Sequence, residues 1–148
     1  MSTVSTKIVI EAPPSAVWAV VMDPGRLREW VTIHRKLGKV YSGAPREGSQ
    51  MQQTLCLRGA NFRVDWTLAK CQEPSRALWE GKGPARSRAS TEYRLSEHSR
   101  GTCFDYRNEF KAPLGPLGAL ASRALVGGIP EREANRSLER LKTLVENS

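Results

Sequence analysis

The sequence predicts an α+β fold in which a seven-stranded antiparallel sheet curves around one long C-terminal helix. Three observations carry this expectation. Seven segments between Val4 and Phe110 hold alternating residues on two faces, and short turns separate them, the pattern of an antiparallel meander. The last long stretch, 116–146, instead repeats apolar residues every three or four positions: Leu117, Leu120, Ala121, Ala124 and Leu125, then Ala134, Leu138, Leu141 and Val145. Those positions share one helical face, and Arg132, Glu133, Arg136, Glu139, Arg140 and Lys142 are expected to cover the other. A helix of about thirty residues is about 45 Å long, and its apolar stripe would stay wet unless something broad covers it. The strands are the only upstream candidate.

The elements follow in chain order. Val4, Thr6, Ile8 and Ile10 alternate with Ser5, Lys7 and Val9 in a first strand, stopped by Ala12-Pro13-Pro14. Proline is tolerated in a helix's first turn, so a short helix is expected from near Pro14 through Met22. It is apolar on nearly every side, which suits a buried position. Asp23-Pro24 marks a second helix start, a capping aspartate before a proline, running to near Trp30. A poorly patterned strand with a loop before it is expected within 31–42, followed by a turn over 43–48. Met51, Gln53, Leu55 and Leu57 share one face of the next strand, and Arg58-Gly59-Ala60-Asn61 reads as a hairpin connection. Phe62, Val64, Trp66 and Leu68 then alternate with Arg63, Asp65 and Thr67. A turn at Glu73-Pro74-Ser75 precedes a short strand over 76–82, which Gly83-Pro84 breaks. Ala85, Ser87, Ala89, Thr91, Tyr93 and Leu95 share a face, with a turn over 97–101. Thr102, Phe104, Tyr106, Asn108 and Phe110 share the face of the last strand.

Composition narrows the function classes. At 148 residues, 39% apolar and 26% charged, the chain has an ordinary globular balance and is expected to form one domain over 1–148. No apolar run reaches the length of a membrane span. The segment 1–7 carries no hydrophobic signal region, so the expected compartment is the cytoplasm. Cys56, Cys71 and Cys103 are odd in number and widely spaced, which reads as reduced thiols. With only His34 and His98, a structural zinc site would need an unusual ligand set. No cofactor is expected. The net charge of +8 admits an anionic partner, but the basic residues are scattered. Arg63, Arg86, Arg88, Arg94 and Arg107 share the outward strand faces with Asp65, Glu92, Asp105 and Glu109. Cross-strand ion pairs therefore account for much of this basic set, and nucleic acid is a minor hypothesis. Nothing in the sequence decides the oligomeric state.

The segment Ile10 to Trp30, I-E-A-P-P-S-A-V-W-A-V-V-M-D-P-G-R-L-R-E-W, resembles the opening signature of the polyketide cyclase/dehydrase-like family. That family belongs to the START and Bet v 1-like superfamily of helix-grip domains. The later stretches R-V-D-W-T-L, G-T-C-F-D-Y and S-L-E-R-L-K-T-L-V-E resemble later family elements in the expected order. The resemblance spans nearly the whole chain. It implies the order β-α-α-β6-α and the binding of lipids, polyketides, quinones or other apolar molecules between sheet and helix. Some members cyclise or dehydrate such molecules, and fold does not choose among these roles.

The inward faces name the candidate site. Met51, Leu55, Phe62, Val64, Trp66, Phe104 and Phe110 from the strands, with Leu117, Leu120, Ala121 and Leu125 from the helix, are expected to wall an apolar pocket for a hydrophobic small molecule. Small Ser87, Ala89 and Thr91 leave room in it. Among the inward polar groups, Gln53, Ser87, Thr91, Tyr93, Tyr106 and Asn108 either bond one another across strands or, in the case of Tyr106 and Asn108, orient a ligand carbonyl or hydroxyl. His34 stands near the expected cavity mouth, in the pKa range of acid–base work. It has no identifiable partner, and its neighbours Arg35 and Lys36 suggest an exposed loop. Trp30 and Trp18 either floor the cavity or pack structurally. Trp79 is uninformative. The inward faces supply no Asp or Glu, and no nucleophile motif or phosphate loop is present, which favours binding over cyclase or dehydratase chemistry. A protein-interaction module using the basic outer face is a third reading. Val126-Gly127-Gly128-Ile129-Pro130 is expected to kink or break the helix, either as a plain bend or as a hinge.

Overall fold

Period-two alternation becomes a continuous sheet. The computed structural model describes residues 2–57, 59–111 and 129–148. Strand β1 (Ser2–Ile10) leads into α1 (Pro14–Val21), a 3-10 turn (Pro24–Arg26) and α2 (Leu27–Trp30). Six strands follow: β2 (His34–Val40), β3 (Gln50–Leu57), β4 (Ala60–Gln72), β5 (Arg76–Lys82), β6 (Arg88–His98) and β7 (Gly101–Lys111). The last helix, α3, spans Ile129–Glu146. The sheet order is β1-β7-β6-β5-β4-β3-β2, with every neighbouring pair antiparallel. The chain thus leaves β1 at one edge and re-enters at β2 on the other, and α1 and α2 make that crossing.

Local chemistry explains the crossing. Pro14 opens α1 without sacrificing a bonded N–H. Val17, Trp18, Val20 and Val21 are buried, as a helix apolar on most sides requires. Asp23 Oδ1 accepts from the Gly25 N–H at 3.0 Å and caps the next turn. Trp30, at the end of α2, is fully buried.

The helix α3 packs along β1 and against α2. Its expected stripe, Ala134, Leu138, Leu141 and Val145, is buried. Polar contacts set its position along β1. Thr6 Oγ1 donates to Asn135 Oδ1 (2.6 Å), Lys142 Nζ donates to the Val9 carbonyl (3.2 Å), and the Glu11 N–H donates to Glu146 Oε2 (2.8 Å). Lys142 also pairs with Glu146.

Several boundaries differ from expectation. The β3–β4 connection is shorter than the four residues expected, because Leu57 and Ala60 already pair. Gly59 takes a positive φ of 77° there, the left-handed conformation a two-residue hairpin demands. The sixth strand does not start at Ala85. Ala85 and Arg86 sit in a 3-10 turn with φ of 52° and 65°, held by Ser87 Oγ donating to the Pro84 carbonyl at 2.8 Å. Strands β6 and β7 run further into their turn, pairing His98 with Gly101. Gly127 and Gly128, and with them most of the expected kink, lie outside the described residues. Pro130 lies within α3.

Candidate functional site: an apolar cavity between sheet and helix

Cross-strand register explains why space remains on the concave face. One row of paired residues runs Met51, Trp66, Gly81, Ala89 and Phe110 from β3 to β7. The next runs Trp79, Thr91, Asn108 and Val4 from β5 to β1. Large side chains at the ends of the first row flank Gly81 and Ala89 in its middle. Gly81 is required by the close approach of its neighbours: a Cβ there would stand 2.5 Å from Val64 Cγ1 and 2.8 Å from the Trp66 ring. Val64 and Trp66 fill the space over Gly81, whereas Ala89 borders a cavity of about 150 Å³.

Of the expected residues, Met51, Leu55, Phe62, Val64, Trp66, Thr91, Tyr93, Tyr106, Asn108 and Phe110 line this cavity. Trp30, His34 and Phe104 do not. Phe104 is fully buried, packed against Trp30 with ring centroids 6.3 Å apart and edge-on geometry. Trp30 also lies 6.0 Å from both Tyr93 and Tyr106, so it backs the cavity's aromatic wall from the core side. Its Nε1–H is a buried donor without a hydrogen-bond acceptor among the described residues. Leu117, Leu120, Ala121 and Leu125 lie outside the described residues. Trp18 is buried in α1, away from the cavity wall.

The helix wall comes from Pro130, Glu133, Ala134 and Ser137. Their spacing of 3, 1 and 3 is a single helical face, which sequence reading misses because two members are polar. Glu133, expected on the outer face, borders the cavity. With Glu109 on β7 it gives the wall two carboxylates from outside the inward strand faces. Both are paired, Glu133 with Arg136 at 3.2 Å and Glu109 with Arg107 at 2.7 Å. Trp79, uninformative in the sequence, also lines the cavity. It is buried and stacked on Tyr41 at 6.1 Å. The Tyr41 hydroxyl donates to the Met22 carbonyl at 2.7 Å, and burial, then Asp23 and Cys71, push its pKa up to about 12. The period-two set Ala77, Trp79 and Gly81 was the available signal.

Gln53, Thr91, Asn108 and Ser137 in the wall are partnered, as desolvation requires. The Trp66 Nε1–H donates to Gln53 Oε1 at 2.9 Å, and Gln53 Nε2 lies 2.9 Å from His34 Nδ1. Since the Gln53 oxygen faces the indole, its amide must donate, and His34 must accept at Nδ1 as the neutral Nε2–H tautomer. This corrects the reading of His34 as partnerless in an exposed loop: it opens β2, half-buried. Burial first, and Arg28 second, lower its pKa. Across β6 and β7, Thr91 Oγ1 donates to Asn108 Oδ1 at 2.7 Å. Tyr93 and Tyr106 stack at 5.8 Å and 16°, and burial raises both phenol pKa values. Ser137 Oγ accepts from the Thr32 N–H (3.0 Å) and donates to the Glu133 carbonyl (2.9 Å).

The outer face is laced with ion pairs. Glu92 on β6 takes Arg76 from β5 at 2.6 Å and Arg94 at 3.1 Å. Partial burial pushes its carboxyl up, but hydrogen bonds from Arg76 and Arg94 outweigh that and hold it below the usual range. Among the described residues, no three His, Cys, Asp or Glu side chains cluster to hold a metal. No described helix is long and apolar enough to cross a membrane.

An antiparallel sheet packed against a terminal helix, with an apolar cavity between them, is the architecture of a helix-grip domain. The chain belongs to the family described as "Polyketide cyclase / dehydrase and lipid transport", which matches residues 1–146. It is 26% identical over 137 residues to a Mycobacterium tuberculosis protein named Toxin Rv0910, covering 91% of this chain and 95% of that one. It is 25% identical over 131 residues to the uncharacterized protein Rv1546 of the same organism, covering 87% and 92%. Among solved structures, TTHA0849 from Thermus thermophilus is similar with a TM-score of 0.77 at 20% identity, covering 97% of each chain. CV1439 from Chromobacterium violaceum gives 0.70 at 19%, covering 99% of each. These two show the shared fold.

Proposed function

We propose that this protein binds an apolar or amphipathic small molecule between its sheet and α3. The observation that carries the reading is the cavity of about 150 Å³, walled by Met51, Leu55, Phe62, Val64 and Trp66 and bordered by a few polar groups. An apolar cavity of about this volume stays dry and takes up a benzene-sized molecule. Membership of a family whose description includes lipid transport supports the same reading. The ionisable groups favour binding over cyclase or dehydratase chemistry. Glu109 and Glu133 are each ion-paired, and His34 is turned toward Gln53. Native mass spectrometry of freshly purified protein tests the reading. A co-purified mass that unfolding releases is expected. Bare protein, combined with no saturable uptake of an environment-sensitive fluorescent probe, would refute it.

A further inference from the structure

The polar wall of the cavity has a direction, and that direction selects a ligand chemistry. Each polar side chain offers a ligand only what its own partners leave free. Gln53 is used on both sides, its oxygen by Trp66 and its amide by His34. Ser137 is used by the Thr32 N–H and the Glu133 carbonyl. Asn108 has its oxygen occupied by the Thr91 hydroxyl, so its amide is left to donate. The group beside it on the same face of β7 is the Tyr106 phenol, whose pKa burial raises and the neighbouring Asn108 side chain moderates. Tyr93, directly opposite in register and stacked on Tyr106, presents a second phenol beside it. Trp30 Nε1 is the one buried side-chain polar atom among the described residues without a partner. The two phenols donate to no acceptor among the described residues. The cavity contains both residues in its wall.

Charge narrows the choice further. Among the described residues, no Lys or Arg lines the cavity, and its two carboxylates, Glu109 and Glu133, are already paired. An anionic head would lose its hydration there and meet no countercharge from the described residues. A hydrocarbon would leave the phenol donors unpaired, a loss as real as a missing bond.

We propose that the cavity selects neutral carbonyl compounds with a body the size of a single ring, the Tyr106 hydroxyl donating to the carbonyl oxygen with Tyr93 beside it. Thr91 is a positioning residue: by occupying the Asn108 oxygen it leaves the Asn108 amide as a further donor to the ligand. This rests on the reading that the cavity binds a small molecule, and names the class.

The test uses three probes of similar shape: acetophenone, α-methylstyrene (a CH₂ in place of the carbonyl oxygen) and benzoate. Affinities are measured by titration calorimetry on the wild-type protein and on Tyr106→Phe, whose folding is checked by thermal unfolding. One neutral hydrogen bond corresponds to about fivefold to tenfold in affinity. The ratio of acetophenone to α-methylstyrene affinity should therefore fall by about that factor in Tyr106→Phe, and benzoate should bind the wild type more weakly than acetophenone. Independently of any variant, the infrared carbonyl stretch of bound ¹³C-labelled acetophenone should lie below its position in hexane. An unchanged ratio, a hexane-like stretch, or benzoate binding as tightly as the ketone would overturn the class assignment while leaving cavity binding intact. If none of the three binds, cavity binding itself falls and the class assignment with it.

Discussion

His34 ties the protonation state of a single residue to the cavity wall. Its Nδ1 must accept from Gln53, whose oxygen is committed to Trp66. A proton on Nδ1 would set two donors against each other, and flipping the Gln53 amide would only move that conflict to the indole. Burial, and then Arg28, lower the His34 pKa below its ordinary 6.5. The unfolded chain then binds more protons between the folded and ordinary values. Stability from this residue is complete above about pH 6.5 and drains as pH falls through the folded value. Chemical denaturation at pH 7.5 and pH 5 should show a loss in the wild type that His34→Gln reduces. An equal loss in both proteins would remove His34 from the account. None of this was legible from the sequence. His34 and Gln53 are nineteen positions apart, and only the β2–β3 pairing brings them together. The neighbouring Arg35 and Lys36 pointed to an exposed loop, whereas they are the solvent-facing residues of an edge strand.

At the scale of the element, Gly81 makes β5 able to pass beneath Val64 and Trp66. Gly81→Ala would drive a methyl group into both, and overpacking of this kind costs about 1–3 kcal/mol. Urea denaturation should report a loss in that range, and a neutral or stabilised variant would show that the row can relax. On α3, Ser137 takes the Thr32 N–H in a region that is part-buried. Ser137→Ala leaves that N–H without its acceptor, at about 1–3 kcal/mol. The same measurement checks it, and a loss below about 0.5 kcal/mol would mean that water replaces the hydroxyl. The stripe of α3 was plain in the sequence because Ala134, Leu138, Leu141 and Val145 are apolar. The face holding Glu133 and Ser137 was not, because hydropathy marks polar residues as outward even where Thr32, in the loop after α2, meets that face.

The whole molecule is organised by the mismatch between large and small residues across the sheet. Ala89→Ile would put added apolar volume into the cavity from the middle of β6, where a β-branched residue suits the strand. It is expected to raise stability by up to about 2 kcal/mol through extra burial and to weaken uptake of a fluorescent probe at least tenfold. Lower stability with unchanged uptake would mean the space beside Ala89 is not where ligand binds. Both readouts depend on the register that sets Ala89 between Gly81 and Phe110.

The sequence by itself determined the order of elements, the inward face of nearly every strand and the apolar stripe of the last helix. Those follow from periods of two and of 3.6, which are local. Tertiary structure alone decided that Trp79 and Glu133 reach the cavity while Phe104 and Trp30 close its core side. It also decided that His34 locks Gln53 and that the phenols of Tyr93 and Tyr106 stand together. Which inward residues meet a void and which meet one another depends on strand register and on where α3 lies, and both are set by contacts between residues far apart in the chain.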